Sequence, residues 1–209
     1  MFLKIFAIFF ISFCGVSAIA GESIVNETAA ITVNDFNEKE LISYKEPGSG
    51  EFLAYRLHWS RSFDDSMVFR VILKNGDKEP EFTVKKYSVT DKKLTLNETY
   101  HVSDNQIYNL INFSRAADFW NRPETFGNIG LDGAEWKLEG INNNQHHITT
   151  RWSPLPPYYQ SVLDPKTRKV IKQPGLSFEE QARHSDEVGL DMFGLLIMFM
   201  HQGFDEKIY

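Results

Sequence analysis

The sequence predicts an α+β fold: an antiparallel sheet of about six strands with a mid-chain helix and a C-terminal helix packed on it. Three observations carry this expectation. Short runs of alternating or near-continuous apolar residues recur between 53 and 102, a capped segment of helical period follows them, and a further strand pair precedes a long apolar helical stretch. Strands in consecutive order joined by turns favour antiparallel pairing.

Leu53, Tyr55, Leu57 and Trp59 alternate with Ala54, Arg56 and His58, the pattern of a strand with one buried face. A second strand is expected at 67–73. Asn75-Gly76 is a turn signal, and Pro80 lengthens the connection beyond two residues. Strands at 82–89 and 94–102 complete a meander. Ser103-Asp104-Asn105-Gln106 then has the S-x-x-Q spacing of a capping box, in which the serine and glutamine side chains each reach a backbone amide of the other residue's turn. Ile107, Leu110, Ile111 and Ser114 keep helical spacing behind it, so a helix is expected over 104–118, with Phe119-Trp120 packing its end onto the sheet. Residues 134–141 and 145–152 form a hairpin through Asn142-Asn143-Asn144, since asparagine tolerates positive φ. A Pro-rich stretch at 154–176 contains a second hairpin, expected to project from the body. Ser177-Phe178-Glu179-Glu180 is another capping box, and the helical region beyond it is expected to reach Gln202, broken near 184–186 and ended by Gly203.

The first twenty residues have the order of a secretory signal: Lys4, an apolar run from Ile5 to Phe13, then small residues ending Ala18-Ile19-Ala20. The apolar run is shorter than the ~20 residues of a spanning helix. The expected product is exported, periplasmic or secreted, with no transmembrane segment after signal removal. The alternative is a lipoprotein anchored through Cys14, although Phe13 is bulky for the position before an acylated cysteine. Cys14 is the only cysteine, so cleavage after Ala20 leaves a chain that cannot form a disulfide, and its fold rests on burial. A chain of this length buries roughly 70% of its unfolded surface, which makes that reasonable. Residues 21–50 hold six acids and end in Pro47-Gly48-Ser49-Gly50. They read as an acidic flexible lead, which leaves 51–209 as a single domain.

Hydrophobic residues are 42% of the chain and aromatics 14%, a globular composition rather than a disordered one. The formal net charge of −6 argues against nucleic acid as a partner, because phosphate binding needs a basic face.

Gly130-Leu131-Asp132-Gly133-Ala134-Glu135-Trp136-Lys137-Leu138-Glu139-Gly140, followed by Arg151-Trp152-Ser153-Pro154, resembles a group of small exported proteobacterial proteins that share an LDGA-x-W-x-LEG…RWSP pattern. Arg61-Ser62-Phe63 and the helix ending in Phe119-Trp120 are similar too, so the resemblance covers roughly 52–154. It implies export and carries no particular activity; the Pro-rich hairpin after Pro154 is an elaboration on it.

Asp132, Glu135, Glu139 and Arg151 form the sharpest cluster of charges. A hairpin closed at the asparagines is expected to bring Glu135 near Arg151, either tying the strands or holding an anionic ligand through the paired donors of the guanidinium. Trp136 and Trp152 read as core residues first and as pocket lining second. In the Pro-rich hairpin, Lys166, Arg168, Lys169 and Lys172 face a single Asp164, with Tyr158 and Tyr159 alongside. This is either a contact arm for an anionic partner or a solvated edge blunted by lysines. His146 and His147 are adjacent strand residues and point to opposite faces, so they do not share a metal; no metal and no cofactor is expected. Neither a G-x-S-x-G elbow nor a mature thiol is present. The expected function is a non-enzymatic exported protein that binds a partner or ligand in the cell envelope, with an inhibitor or immunity-type role among those it suits. The competing readings are an envelope hydrolase using acids such as Asp132 or Glu135, and a lipid-anchored structural component.

Overall fold

The structure is a computed structural model that describes residues 31–48, 50–126, 133–143, 145–154 and 189–208. The leader at 1–20, the hairpin expected at 158–173 and the capping box at 177–180 lie outside the described residues. Among the described residues seven strands form one sheet: β1 (Phe52–Arg61), β2 (Ser66–Asn75), β3 (Glu81–Ser88), β4 (Lys93–His101), β5 (Thr125–Phe126), β6 (Ala134–Asn142) and β7 (Gln145–Trp152). Their order is β4-β3-β2-β1-β6-β7-β5. The six longer strands pair antiparallel, as the sequence predicts. Among the described strands only the two-residue β5 is parallel, on β7, an edge addition that periodicity had no length to reveal.

Helix α1 (Asp104–Ala116) starts at the expected box: the Ser103 amide donates to Gln106 Oε1 at 2.9 Å. Helix α2 (Leu190–Met198) begins after Gly189 and ends earlier than Gly203. The two helices lie against each other and cover one face of the sheet. That face carries Tyr55, Leu57 and Trp59 of β1, with Phe69, Val71, Phe82, Trp136 and Leu138 from its neighbours, all buried. Phe119 closes the helix end as expected, 5.7 Å from the Tyr55 ring and fully buried. Close packing has two glycines as its condition. A Cβ on Gly140 would sit 2.6 Å from the Phe119 ring, and one on Gly194 of α2 would sit 2.5 Å from the Trp136 ring.

The second face is covered as well: residues 31–46, expected to belong to a loose acidic lead at 21–50, are packed on it. The compact unit begins at Ile31, not at Glu51. Residues 31–46 form a strap of two 3-10 turns, Val33–Phe36 and Leu41–Tyr44, laid across the face opposite the helices. Phe36 and Leu41 are 0% exposed, and Leu41 packs with Phe52, Ala54, Ile72 and Ile141. The first turn is held by a box of its own, Thr32 N–H donating to Asp35 Oδ2 at 2.7 Å. Gly48 (φ 77°) and Gly50 (φ 55°) then turn the chain into β1 with left-handed backbone that other residues rarely adopt. With both faces covered, Ala54, Arg56 and His58 are as buried as the residues they alternate with.

Candidate binding face

The strap lies over the middle of a largely polar row of side chains. In the register of the sheet, Thr99, Thr83, Arg70, Arg56, Glu139 and Ile148 stand opposite one another in succession across β4, β3, β2, β1, β6 and β7. Cross-strand partners share a face, so these side chains form one line over the sheet. Arg56 therefore faces Arg70 directly, and Lys85 stands two residues along β3 from Thr83. Like charges in opposition cost stability unless an anion lies between them.

Glu38 of the strap lies between them, in addition to Glu139 of the sheet against Arg56 and Glu81 of the sheet 3.5 Å from Arg70. The Glu38 side chain is 0% exposed. Arg70 Nη1 donates to its two oxygens at 2.7 and 2.8 Å, Lys85 Nζ lies 2.8 Å from Oε1, and Arg56 Nη1 lies 3.7 Å from Oε2. The Tyr44 hydroxyl donates to Oε2 at 3.1 Å, and the Arg70 guanidinium stacks 4.0 Å over the Tyr44 ring. Burial alone pushes the Glu38 carboxyl up, but Arg70 and Lys85 outweigh burial and hold it below the ordinary glutamate value. Arg56 also makes a two-donor contact to Glu139 through Nε (2.9 Å) and Nη2, and Glu139 Oε1 lies 2.9 Å from His146 Nε2. On the same face His58 is buried against the Phe36 ring, centroids 5.4 Å apart. Burial, with Lys137 and Arg56 nearby, pushes its pKa down from 6.5 to about 4, so it is neutral at pH 7.

Backbone carbonyls of the strap are recognised along with the carboxylate. Lys85 Nζ donates to Phe36 O and Asn37 O at 3.0 and 3.2 Å, Arg56 Nη1 to Lys39 O at 2.6 Å, and Asn75 Nδ2 to Tyr44 O at 2.9 Å. Asn75 Oδ1 in turn accepts from Glu46 N at 2.8 Å.

The residues singled out in the sequence divide between the two faces. Glu135 is opposite Trp152, and Trp136 is opposite Arg151. Glu135 and Arg151 therefore point to opposite sides of the sheet, and the expected contact between them is not made: the hairpin closes with Asn142 opposite Gln145, one position away from the register that contact needs. Arg151 is buried and donates to Thr150 O at 2.7 Å and Pro123 O at 3.3 Å, holding the segment that leads into β5. Trp136 is core, 0% exposed. Glu135 and Trp152 are half-buried on the polar-row face, with Lys137 opposite Thr150 in the next rank. Asp132, Tyr158, Tyr159, Lys166, Arg168 and Lys169 lie outside the described residues. Arg56, Arg70 and Lys85 were missed because a charge at an alternate strand position reads as solvated, and Glu38 because it is one of several acids in a segment read as a lead. The available signal was Thr32-Val33-Asn34-Asp35 before Phe36, a cap followed by an apolar residue inside the acidic lead.

No family model and no curated protein matches this chain. Among the described residues no helix is long and apolar enough to cross a membrane.

Proposed function

We propose that the chain is an exported, non-enzymatic protein of the cell envelope, delivered by residues 1–20, that binds a partner through the polar-row face of its sheet. The observation that supports this reading is the placement of Glu135 and Trp152. They stand opposite each other on the broad face of β6 and β7, half-buried, with Lys137 and Thr150 beside them and His146 exposed further along. An indole flanked by a carboxylate and an ammonium on a sheet face offers apolar area with a polar rim, the make-up of an interface. In the sheet register Glu135 stands between Ser60 of β1 and Trp152 of β7, so neither cross-strand neighbour is the second carboxyl that acid-pair hydrolysis uses.

Affinity recovery from an envelope fraction tests the reading, with the wild-type chain and a Glu135→Ala/Trp152→Ala variant as parallel baits. A partner retained by the wild type and lost by the variant is the expected result. Equal recovery by both overturns the assignment of this face. The intact mass of the native product tests export, since cleavage after Ala20, retention of Met1 and acylation at Cys14 give three different masses.

A further inference from the structure

We infer that the cationic part of this face, formed by Arg56, Arg70 and Lys85, is a peptide socket that the strap fills in cis and that takes in trans an acidic segment of another protein. The trans ligand carries a carboxylate with an aromatic residue two positions before it and a leucine three positions after. The inference concerns the covered half of the face and stands apart from the exposed half around Glu135.

Three features support it. The first is the charge balance around the opposed Arg56 and Arg70 of β1 and β2: the sheet answers Arg56 with Glu139 and Arg70 with Glu81 at 3.5 Å, and the third cation, Lys85, is answered by Glu38 of the strap. A surface that needs an anion to be stable is a binding site for one.

The second is the manner of recognition. Among the described residues, every hydrogen bond between strap and sheet involves a side chain of the sheet. The strap adds no strand to the ladder. Its carboxylate and the carbonyls of Phe36, Asn37, Lys39 and Tyr44 are read individually, as a groove reads a bound peptide, and Phe36 and Leu41 fill apolar sites on either side. Recognition of consecutive carbonyls selects a peptide over a small carboxylate.

The third is that the cis occupant leaves the socket incompletely satisfied. Arg70 is 7% exposed, and its Nε finds no acceptor. A buried donor without a partner costs free energy that a ligand with a further oxygen there would recover. The strap joins β1 through Gly48 and Gly50, positions at which an added Cβ would meet nothing within 4 Å.

The test uses the whole chain with a protease site placed at Ser49, cut after folding, and a fluorescent synthetic peptide of residues 31–46 as probe. The expected result is saturable exchange of the probe into the cut protein, with the Glu38→Gln peptide binding about tenfold or more weakly, the weight of charge-assisted hydrogen bonds. In the uncut chain, a Glu38→Gln substitution weakens the cis occupant, so the wild-type peptide binds that variant more tightly than the wild-type protein. Free glutamate at millimolar concentration does not compete. The inference is overturned if the probe binds in neither format, if the two peptides bind alike, or if free glutamate competes as well as the peptide. It is also overturned if the uncut protein forms a dimer that the peptide dissociates, since the occupant is then the strap of a second copy.

Discussion

Neutralising Glu38 is the most direct perturbation of the strap. Glu38→Gln keeps the size of the side chain and removes its charge, leaving Lys85 buried without its carboxylate and Arg70 with the half-exposed Glu81 at 3.5 Å; Arg56 retains Glu139. Breaking a buried ion pair from one side costs about 3–5 kcal/mol. No discount for solvent screening applies to a side chain with 0% exposure. For a chain of this size, ~1 kcal/mol shifts Tm by about 2–4 °C, so the variant should melt roughly 6–20 °C below the wild type. Urea and thermal unfolding followed by tryptophan fluorescence at pH 7 measure the difference. Its pH dependence has a definite sign. The folded-state pKa of Glu38 lies below its ordinary 4.5, so the stability it contributes is fully present above pH 4.5 and is lost as pH falls through the lower folded value. The two unfolding curves should converge in acid. A variant within ~1 kcal/mol of the wild type at pH 7, or a gap that survives undiminished at pH 3, refutes the caged-carboxylate account.

Other perturbations probe other contacts. His58 is neutral in the fold and titrates at about 4 against 6.5 when unfolded. The wild type should therefore lose stability as pH falls from 6.5 to 4, by up to about 3 kcal/mol, and His58→Leu should remove that slope from the urea midpoints. Parallel slopes for both proteins would contradict the burial of His58. Gly194→Ala gains about 1 kcal/mol of helix propensity but drives a methyl into Trp136; overpacking of about 1–3 kcal/mol should win, and a more stable variant would show the α2 contact to be looser than described. Glu206 accepts from Arg61 Nη1 at 2.8 Å and Lys86 Nζ at 2.6 Å, with its side chain 19% exposed. Glu206→Gln should cost about 1–3 kcal/mol, less than Glu38→Gln, and a larger loss would separate the energetics from burial.

The meander, the α1 cap and the β6–β7 hairpin were legible because each is a local signal: period two, an S-x-x-Q box, asparagines in a turn. All six long strands fall within two residues of their expected bounds. The strap was not legible for a physical reason. Six acids among scattered apolar residues look like a solvated tail, and only the tertiary fold shows that Phe36, Glu38 and Leu41 have sites waiting on a sheet formed later in the chain. The same holds for Arg56. In Leu53–Trp59 alternation it occupies a position that is solvent-facing when one face is covered, and the second cover is supplied by residues nonlocal to it. For the candidate site, choosing Glu135 and Arg151 depended on register, and register decides between faces at each single-residue step. Trp152, read first as core, is half-buried on the face away from the helices.

The position of β1 has a consequence for how the chain is made. It lies between β2, which follows it by one short turn, and β6, which begins only at Ala134. During synthesis β1 to β4 can close by local turns, whereas the other side of β1 stays open until the β6–β7 hairpin emerges. For that interval a ten-residue strand presents unpaired amides and carbonyls to any neighbouring chain. Products truncated before Ala134 are thus the aggregation-prone form of this protein, and the late hairpin is the piece that makes its nascent sheet safe.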